Sequence, residues 1–270
     1  MNHTLLALFG LKWNPFAPDV PIEALYKTSS IDHFCWRMEN VLIREGGFAC
    51  ITGDPGTGKS VTLRLLAHRL DQFPDLAVAV LAQPSSNIAN FYRQIGDIFG
   101  LDIKPSNRWH GFKSLRDRWI AHQESTLFKP VLLIDEAQEM SASIMNELRL
   151  LSSLEFDSKL ALTVIFAGDR RLADKLQTPD LLPLASRMRI HLRLRTATPQ
   201  DLSACLVHLL EEAGNKQLID KELLINLAER SLGNFRALCT LANDLLMEAA
   251  RRELTHIDEK LFLEVVGGSA

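Results

Sequence analysis

Apolar positions follow two regimes along the chain, with a change near residue 197. Before it, short apolar runs alternate with stretches of 3–4 spacing. The runs at 48–52, 77–82, 131–134, 160–167 and 190–194 read as five strands. A run that is apolar throughout, such as 77–82, is expected of a parallel-sheet strand buried on both faces. Helices are predicted over 31–45, after Ser60 (Leu63, Leu66, Ala67 and Leu70 share a face), over 88–99 up to Gly100, over 113–128, from a Ser141 cap to 154, and over 171–176 and 182–188. Residues 101–112 read as a polar loop. From Thr198, which can cap a helix with Pro199 and Asp201 in its first turn, only helical spacing follows, and Gly233 marks the end of one helix. Residues 1–30 read as irregular, with Pro15, Pro18 and Pro21, yet Phe9, Leu11, Trp13 and Phe16 require burial and so predict an ordered arm. The expected organisation is an N-terminal arm over 1–30, an α/β domain with a parallel five-stranded sheet over 31–196, and a small α-helical domain over 197–270.

Composition narrows this little. At 270 residues and 47% hydrophobic, the chain can bury a substantial core. A net charge of −3 means that any nucleic-acid contact must come from local patches. Cys35, Cys50, Cys205 and Cys239 stand in no CxxC or Cys/His cluster, which predicts reduced thiols and a cytoplasmic setting. No apolar run approaches the about 18 residues of a membrane span, so no membrane association is expected.

The candidate chemistry lies at two strand ends. Gly53-Asp54-Pro55-Gly56-Thr57-Gly58-Lys59-Ser60, followed by Val61, stands between a strand and a helix with G-x-x-x-x-G-K-S spacing. A triphosphate needs convergent N–H donors and a positive field. A glycine-rich turn opening a helix supplies both, so this loop predicts ATP binding, with Lys59 on the β- and γ-phosphates and Ser60 on Mg²⁺. Val131-Leu132-Leu133-Ile134-Asp135-Glu136 places two acids at the C-terminal end of a buried strand, the edge where ligands bind in open α/β sheets. Asp135 is expected to orient the Mg²⁺ shell and Glu136 to act as general base on the attacking water.

Together these segments resemble the AAA+ ATPases, which implies a P-loop three-layer α/β domain followed by a helical lid and Mg²⁺-dependent ATPase activity. Three further positions extend the resemblance. Ile165-Phe166-Ala167-Gly168-Asp169 is similar to the strand that carries a γ-phosphate sensor, with Asp169 at a position often Asn or Thr; the alternative is that Asp169 caps the helix after it. Leu184-Ala185-Ser186-Arg187-Met188-Arg189 resembles the arginine-finger segment, with Arg187 the candidate and Arg189 in reserve. Gly233-Asn234-Phe235-Arg236 resembles the second sensor, with Arg236 facing the nucleotide.

Phe9-Gly10-Leu11-Lys12-Trp13-Asn14-Pro15-Phe16 and Ile134-Asp135-Glu136-Ala137-Gln138 narrow the resemblance to ExeA/GspA-type ATPases, whose module is shared by the transposition regulators TniB, TnsC and MuB. Secretion-type ExeA proteins carry a transmembrane segment and a peptidoglycan-binding domain after the ATPase. Read as a free-standing module, the chain is most similar in organisation to the transposon-encoded regulators. That likeness implies self-association into a hexameric ring or helical filament on duplex DNA, and recruitment of a transposase. Assembly of a secretion complex is the alternative. Lys104, Arg108, Trp109 and Lys113 form a basic segment with an aromatic, which suits non-specific DNA contact or a solvated helix face. Arg189, His191, Arg193 and Arg195 share one face of the last strand, which suits subunit contact, edge protection or DNA.

Overall fold

The computed structural model of the chain describes residues 2–103, 107–126, 129–154 and 159–267. The chain divides into two compact units. One comprises Ser29–Asp54 and Lys59–Leu194; the other comprises Met1–Thr28, Pro55–Gly58 and Arg195–Ala270.

The first unit is built on a parallel sheet. Its strands are β1 (Gly47–Gly53), β2 (Leu76–Leu81) and β3 (Lys129–Ile134), then, after a short antiparallel pair β4 (Ser153–Leu154) and β5 (Lys159–Leu160), β6 (Thr163–Gly168) and β7 (Met188–Leu194). The sheet order is β2-β3-β6-β1-β7, with every neighbouring pair parallel. The central strand β6 is buried at every position and β3 at all but Lys129. Helices Lys59–Leu70, Ile88–Phe99, Arg108–Thr126, Ala142–Ser152 and Arg170–Leu176 belong to the same unit. Phe48 and Phe166 stack in its core, which also takes Leu132, Ile134, Met145 and Trp119. Because the strands are parallel, β1, β3 and β6 all end on the same edge. That edge receives the phosphate loop, the Asp135–Glu136 pair and Asp169.

Several local expectations are corrected. The run 77–82 is not buried on both faces: β2 is an edge strand, and Val80 is 51% exposed. The strand read over 160–167 is two pieces, β5 and β6. The helix expected from 113 starts at Arg108, because Asn107 Oδ1 accepts the His110 N–H at 2.9 Å and so caps a first turn that looks polar in sequence. The helix capped by Ser141 ends at Ser152, and the one expected over 182–188 spans Leu182–Ala185. The helix expected over 31–45 runs as Ser29–Arg37 through a π-turn at Met38–Leu42 into Ile43–Glu45. In β7 the alternation holds: Met188, Ile190, Leu192 and Leu194 are buried, while Arg189, His191 and Arg193 are exposed on the outer edge of the sheet.

The second unit is helical, with Pro199–Ala213, Lys221–Arg230, Phe235–Arg251 and Glu259–Gly267. Thr198 and Asp201 form a reciprocal capping box, with Pro199 in the first turn. The N-terminal segment packs into this unit and is not irregular throughout: Asn2–Phe9 is a helix. Phe9, Leu11 and Phe16 are buried. Lys12 N–H bonds the Ala213 carbonyl at 2.8 Å, Asn215 Nδ2 bonds the Phe9 carbonyl at 2.8 Å, and Asn14 Nδ2 bonds Asn243 Oδ1 at 2.8 Å. These bonds explain why an apolar arm is ordered: it completes the bundle's core. Among the described residues no helix is long and apolar enough to cross a membrane.

Candidate functional site

Within the sheet unit, β1 leads through Gly53 and Asp54 into the phosphate loop, and the loop returns at Lys59, the first residue of its helix. Lys59 is buried, and its Nζ donates to the carbonyls of Gly53 at 2.9 Å and Asp54 at 3.1 Å. The ammonium is thus folded back beneath the loop at a helix N-terminus, a place that favours anions. Ser60 Oγ donates to Asp135 Oδ2 at 2.8 Å. A hydroxyl beside a carboxylate is an all-oxygen donor set suited to Mg²⁺, a hard cation that prefers few protein ligands and substrate phosphates. These residues fit the metal that the loop implies. Bound there, Mg²⁺ would screen the phosphate charge, with Ser60 and Asp135 holding it.

Glu136 occupies the left-handed region, φ 49° and ψ 38°, uncommon for a residue with a side chain. Its N–H bonds Asp135 Oδ1 at 2.9 Å, and the 3-10 turn Ala137–Glu139 follows. The kink turns the chain off the sheet edge directly after the two acids. Such strain collects at functional sites when the surroundings hold it.

Asp169, at the end of β6, caps helix Arg170–Leu176 by accepting the Arg171 N–H at 2.9 Å, and its carboxylate also pairs with the Arg171 guanidinium. Burial opposes ionisation of this carboxyl, but the Arg171 side-chain and backbone hydrogen bonds, with the nearby positive charges of Arg171 and Lys59, outweigh it and hold it below the ordinary range. The capping role is therefore the one this geometry displays.

The loop residues Pro55–Gly58 count with the helical unit, where Asn234 shapes them. Asn234 Oδ1 caps helix Phe235–Arg251 by accepting the N–H groups of Arg236 and Ala237, Asn234 Nδ2 donates to the Pro55 carbonyl at 3.2 Å, and the Phe235 N–H donates to the Gly56 carbonyl at 3.0 Å. Gly56 has φ +80°, and a Cβ there would lie 2.0 Å from Asn234 Oδ1. Only glycine satisfies both conditions. Arg236 is exposed in the first turn of the same helix, where a cation works against the helix dipole unless an anion is close.

The structure brings Lys59, Ser60, Asp135, Glu136 and Asp169 to one sheet edge. It does not bring Arg187 there. Met188 is level with Phe48 and Leu194 with Gly53, so Arg187 lies at the opposite end of the sheet, roughly 20 Å away at about 3.3 Å per residue. Its Nη1 bonds the Pro183 carbonyl of its own turn at 2.5 Å. Arg189 is ion-paired with Glu45.

Of the DNA candidates, Lys104 lies outside the described residues. Arg108 is committed elsewhere: its guanidinium bonds the buried Glu147 through Nε at 2.9 Å and also through Nη2, and Tyr92 Oη adds a bond to the same carboxylate at 2.5 Å. Trp109 is 72% exposed and stacks on Phe112 at 5.9 Å, the Arg116 guanidinium lies 5.3 Å from the Phe112 ring, and Lys113 is exposed.

Four contributors have no role in the motif reading: Asn234 and Gln138, which lie inside quoted segments, and Lys175 and Arg170, which lie outside them. Arg170 forms a bidentate pair with Asp54 of the loop, through Nε at 2.7 Å and Nη2 at 2.8 Å. Asn234 alone had a local signal, an Asn directly before a helix.

A family model described as an AAA domain matches residues 43–176. General secretion pathway protein A of Aeromonas hydrophila is 31% identical over 251 residues, which cover 92% of this chain and 45% of that protein. The chain thus spans about half the length of this curated relative. Among solved structures, Cdc6p from Pyrobaculum aerophilum superposes with a TM-score of 0.71 at 17% identity, covering 90% of this chain and 67% of that one. The Aeropyrum pernix ORC1 protein, solved in complex with DNA, does so with a TM-score of 0.67 at 17% identity, covering 94% and 68%. The matched AAA domain, the sheet order and the loop chemistry agree: this chain is an ATPase with the AAA+ fold that uses ATP and Mg²⁺.

Proposed function

We propose that this protein is an ATP-dependent DNA-binding regulator of DNA transposition, which assembles on duplex target DNA as a hexameric ring or helical filament and recruits or activates a transposase. The observation that carries the reading is the exposed Trp109, stacked on the half-buried Phe112 beside the half-buried Arg116, with the exposed Lys113 on the same helix. A solvent-facing tryptophan flanked by cations suits the sugar–phosphate backbone without reading base sequence. The solved structure of ORC1 in complex with DNA supports it as a fold-level analogy. The protein acts in the cytoplasm.

In this reading Lys59 binds the β- and γ-phosphates. Ser60 and Asp135 hold Mg²⁺. Glu136 takes the proton of the attacking water, and Arg236 meets the γ-phosphate. Asp169, while capping the helix after β6, senses that phosphate from the end of the strand. Arg187, far from its own phosphate loop, acts on the nucleotide of a neighbouring copy, so turnover depends on assembly.

The test is electron microscopy and ATPase assay with and without duplex DNA at low salt. DNA-dependent rings or filaments with stimulated hydrolysis are expected. Folded, ATP-loaded protein that binds no duplex DNA sinks the proposal. The 31% identity to general secretion pathway protein A favours a second reading, an ATPase module for secretion-complex assembly. ATPase activity indifferent to DNA, with inner-membrane components co-purifying, would support it.

A further inference from the structure

We infer that Gln138 is a positioning residue for ATP hydrolysis, a buried clamp that aims the Glu136 carboxylate and ties it to the end of β6. Gln138 is 5% exposed. Its Nε2 donates to Glu136 Oε2, and its Oε1 accepts the Asp169 N–H at 3.2 Å. Both ends of the amide are used, one on each of two strand termini. Gly168 makes room for this: a Cβ there would lie 2.5 Å from Gln138 Oε1. The Gln138 backbone is fixed as well, since Lys175 Nζ donates to the carbonyls of Gln138 at 2.5 Å and Met140 at 2.7 Å.

The physical need is plain. Glu136 follows directly on a strand end with a left-handed backbone, and its side chain has several rotatable bonds. A general base contributes only when it is held in reach of the water's proton. A glutamine at 138 supplies a donor for the carboxylate and an acceptor for the neighbouring strand. No other uncharged side chain of that length does both.

This inference rests on Glu136 being the base, so Glu136→Gln is measured beside Gln138→Glu and Gln138→Met. Glutamate keeps the acceptor and loses the donor; methionine keeps the length and loses both. ATP hydrolysis, binding of a fluorescent ATP analogue and thermal melting are read for each. For both Gln138 variants we expect a fall in kcat of about 10- to 100-fold with nucleotide affinity unchanged. Wild-type kcat in either variant overturns the inference. So does a loss of kcat matched by a loss of nucleotide affinity, which marks a merely structural role. Should Gln138→Glu fail to fold, Gln138→Met is read in the same way. Normal hydrolysis by Glu136→Gln would instead remove the base assignment itself; a dead Glu136→Gln with full turnover in the Gln138 variants removes only the clamp.

Discussion

Ser60 Oγ donates to Asp135 Oδ2 at 2.8 Å, joining the first turn after the phosphate loop to the end of β3 across 75 residues of chain. That bond brings the hydroxyl and the carboxylate together before any metal arrives. Asp135→Asn and Ser60→Ala are therefore each expected to weaken Mg²⁺-dependent ATP binding by roughly 10- to 100-fold while leaving metal-free nucleotide binding less affected. Titration of a fluorescent ATP analogue with and without Mg²⁺ checks this. Lys59→Ala should lose binding under both conditions.

Gly56 and Asn234 form a second testable pair. Gly56→Ala places a methyl 2.0 Å from Asn234 Oδ1 in a left-handed backbone, with an expected cost of about 1–3 kcal/mol. Asn234→Ala removes a helix cap, at about 0.5–2 kcal/mol. Because the second change removes the atoms that the first collides with, the double variant should cost less than the two singles together. Denaturant unfolding of the three variants gives the coupling; simple additivity would contradict the contact.

Arg108 and Lys113 should separate structure from DNA contact. Arg108→Ala leaves the buried Glu147 without its cation, an expected loss of about 1–3 kcal/mol, moderated by the exposure of the arginine. Lys113→Ala and Trp109→Ala should change stability by less than about 0.5 kcal/mol and weaken duplex binding, Lys113→Ala also flattening its salt dependence. Melting curves and DNA titrations at two salt concentrations decide between them. Wild-type DNA affinity in the Trp109 and Lys113 variants would move the interface elsewhere.

Two buried thiols predict alkaline behaviour. Burial pushes Cys50 up to about 12 and raises Cys205 as well, from an ordinary value of 9.0. The native state then holds protons that the unfolded chain releases. The stabilising contribution is complete below pH 9 and declines as pH rises toward 12. Urea midpoints should fall across that window, and maleimide should label Cys50 and Cys205 at pH 8 only once the chain unfolds.

Much of the fold is legible without coordinates because its signals are short-range. The strand read at 131–134, the Thr198 cap and the phosphate loop each depend on neighbours within a few residues. The failures have one local reason and one long-range reason. Residues 108–112 look polar and lack a stripe, yet Asn107 nucleates a helix there. The run 77–82 carries the composition of a central strand, but composition does not say which strand stands at the edge.

The sequence by itself determined the chemistry on offer: a glycine loop that can wrap phosphates, a lysine and a serine at its end, and two acids after a buried strand. Only the tertiary structure decided how those groups are used. Parallel pairing set β1, β3 and β6 with their C-terminal ends on one edge, which made Ser60 and Asp135 neighbours. The same pairing placed Arg187 at the far end of its own sheet. Packing gave the Arg108 charge to Glu147 and the Gln138 amide to Glu136. The physical reason is common to all of these. Hydrogen-bond partners distant in the chain are chosen by which strands lie side by side, and no local pattern of residues encodes that choice.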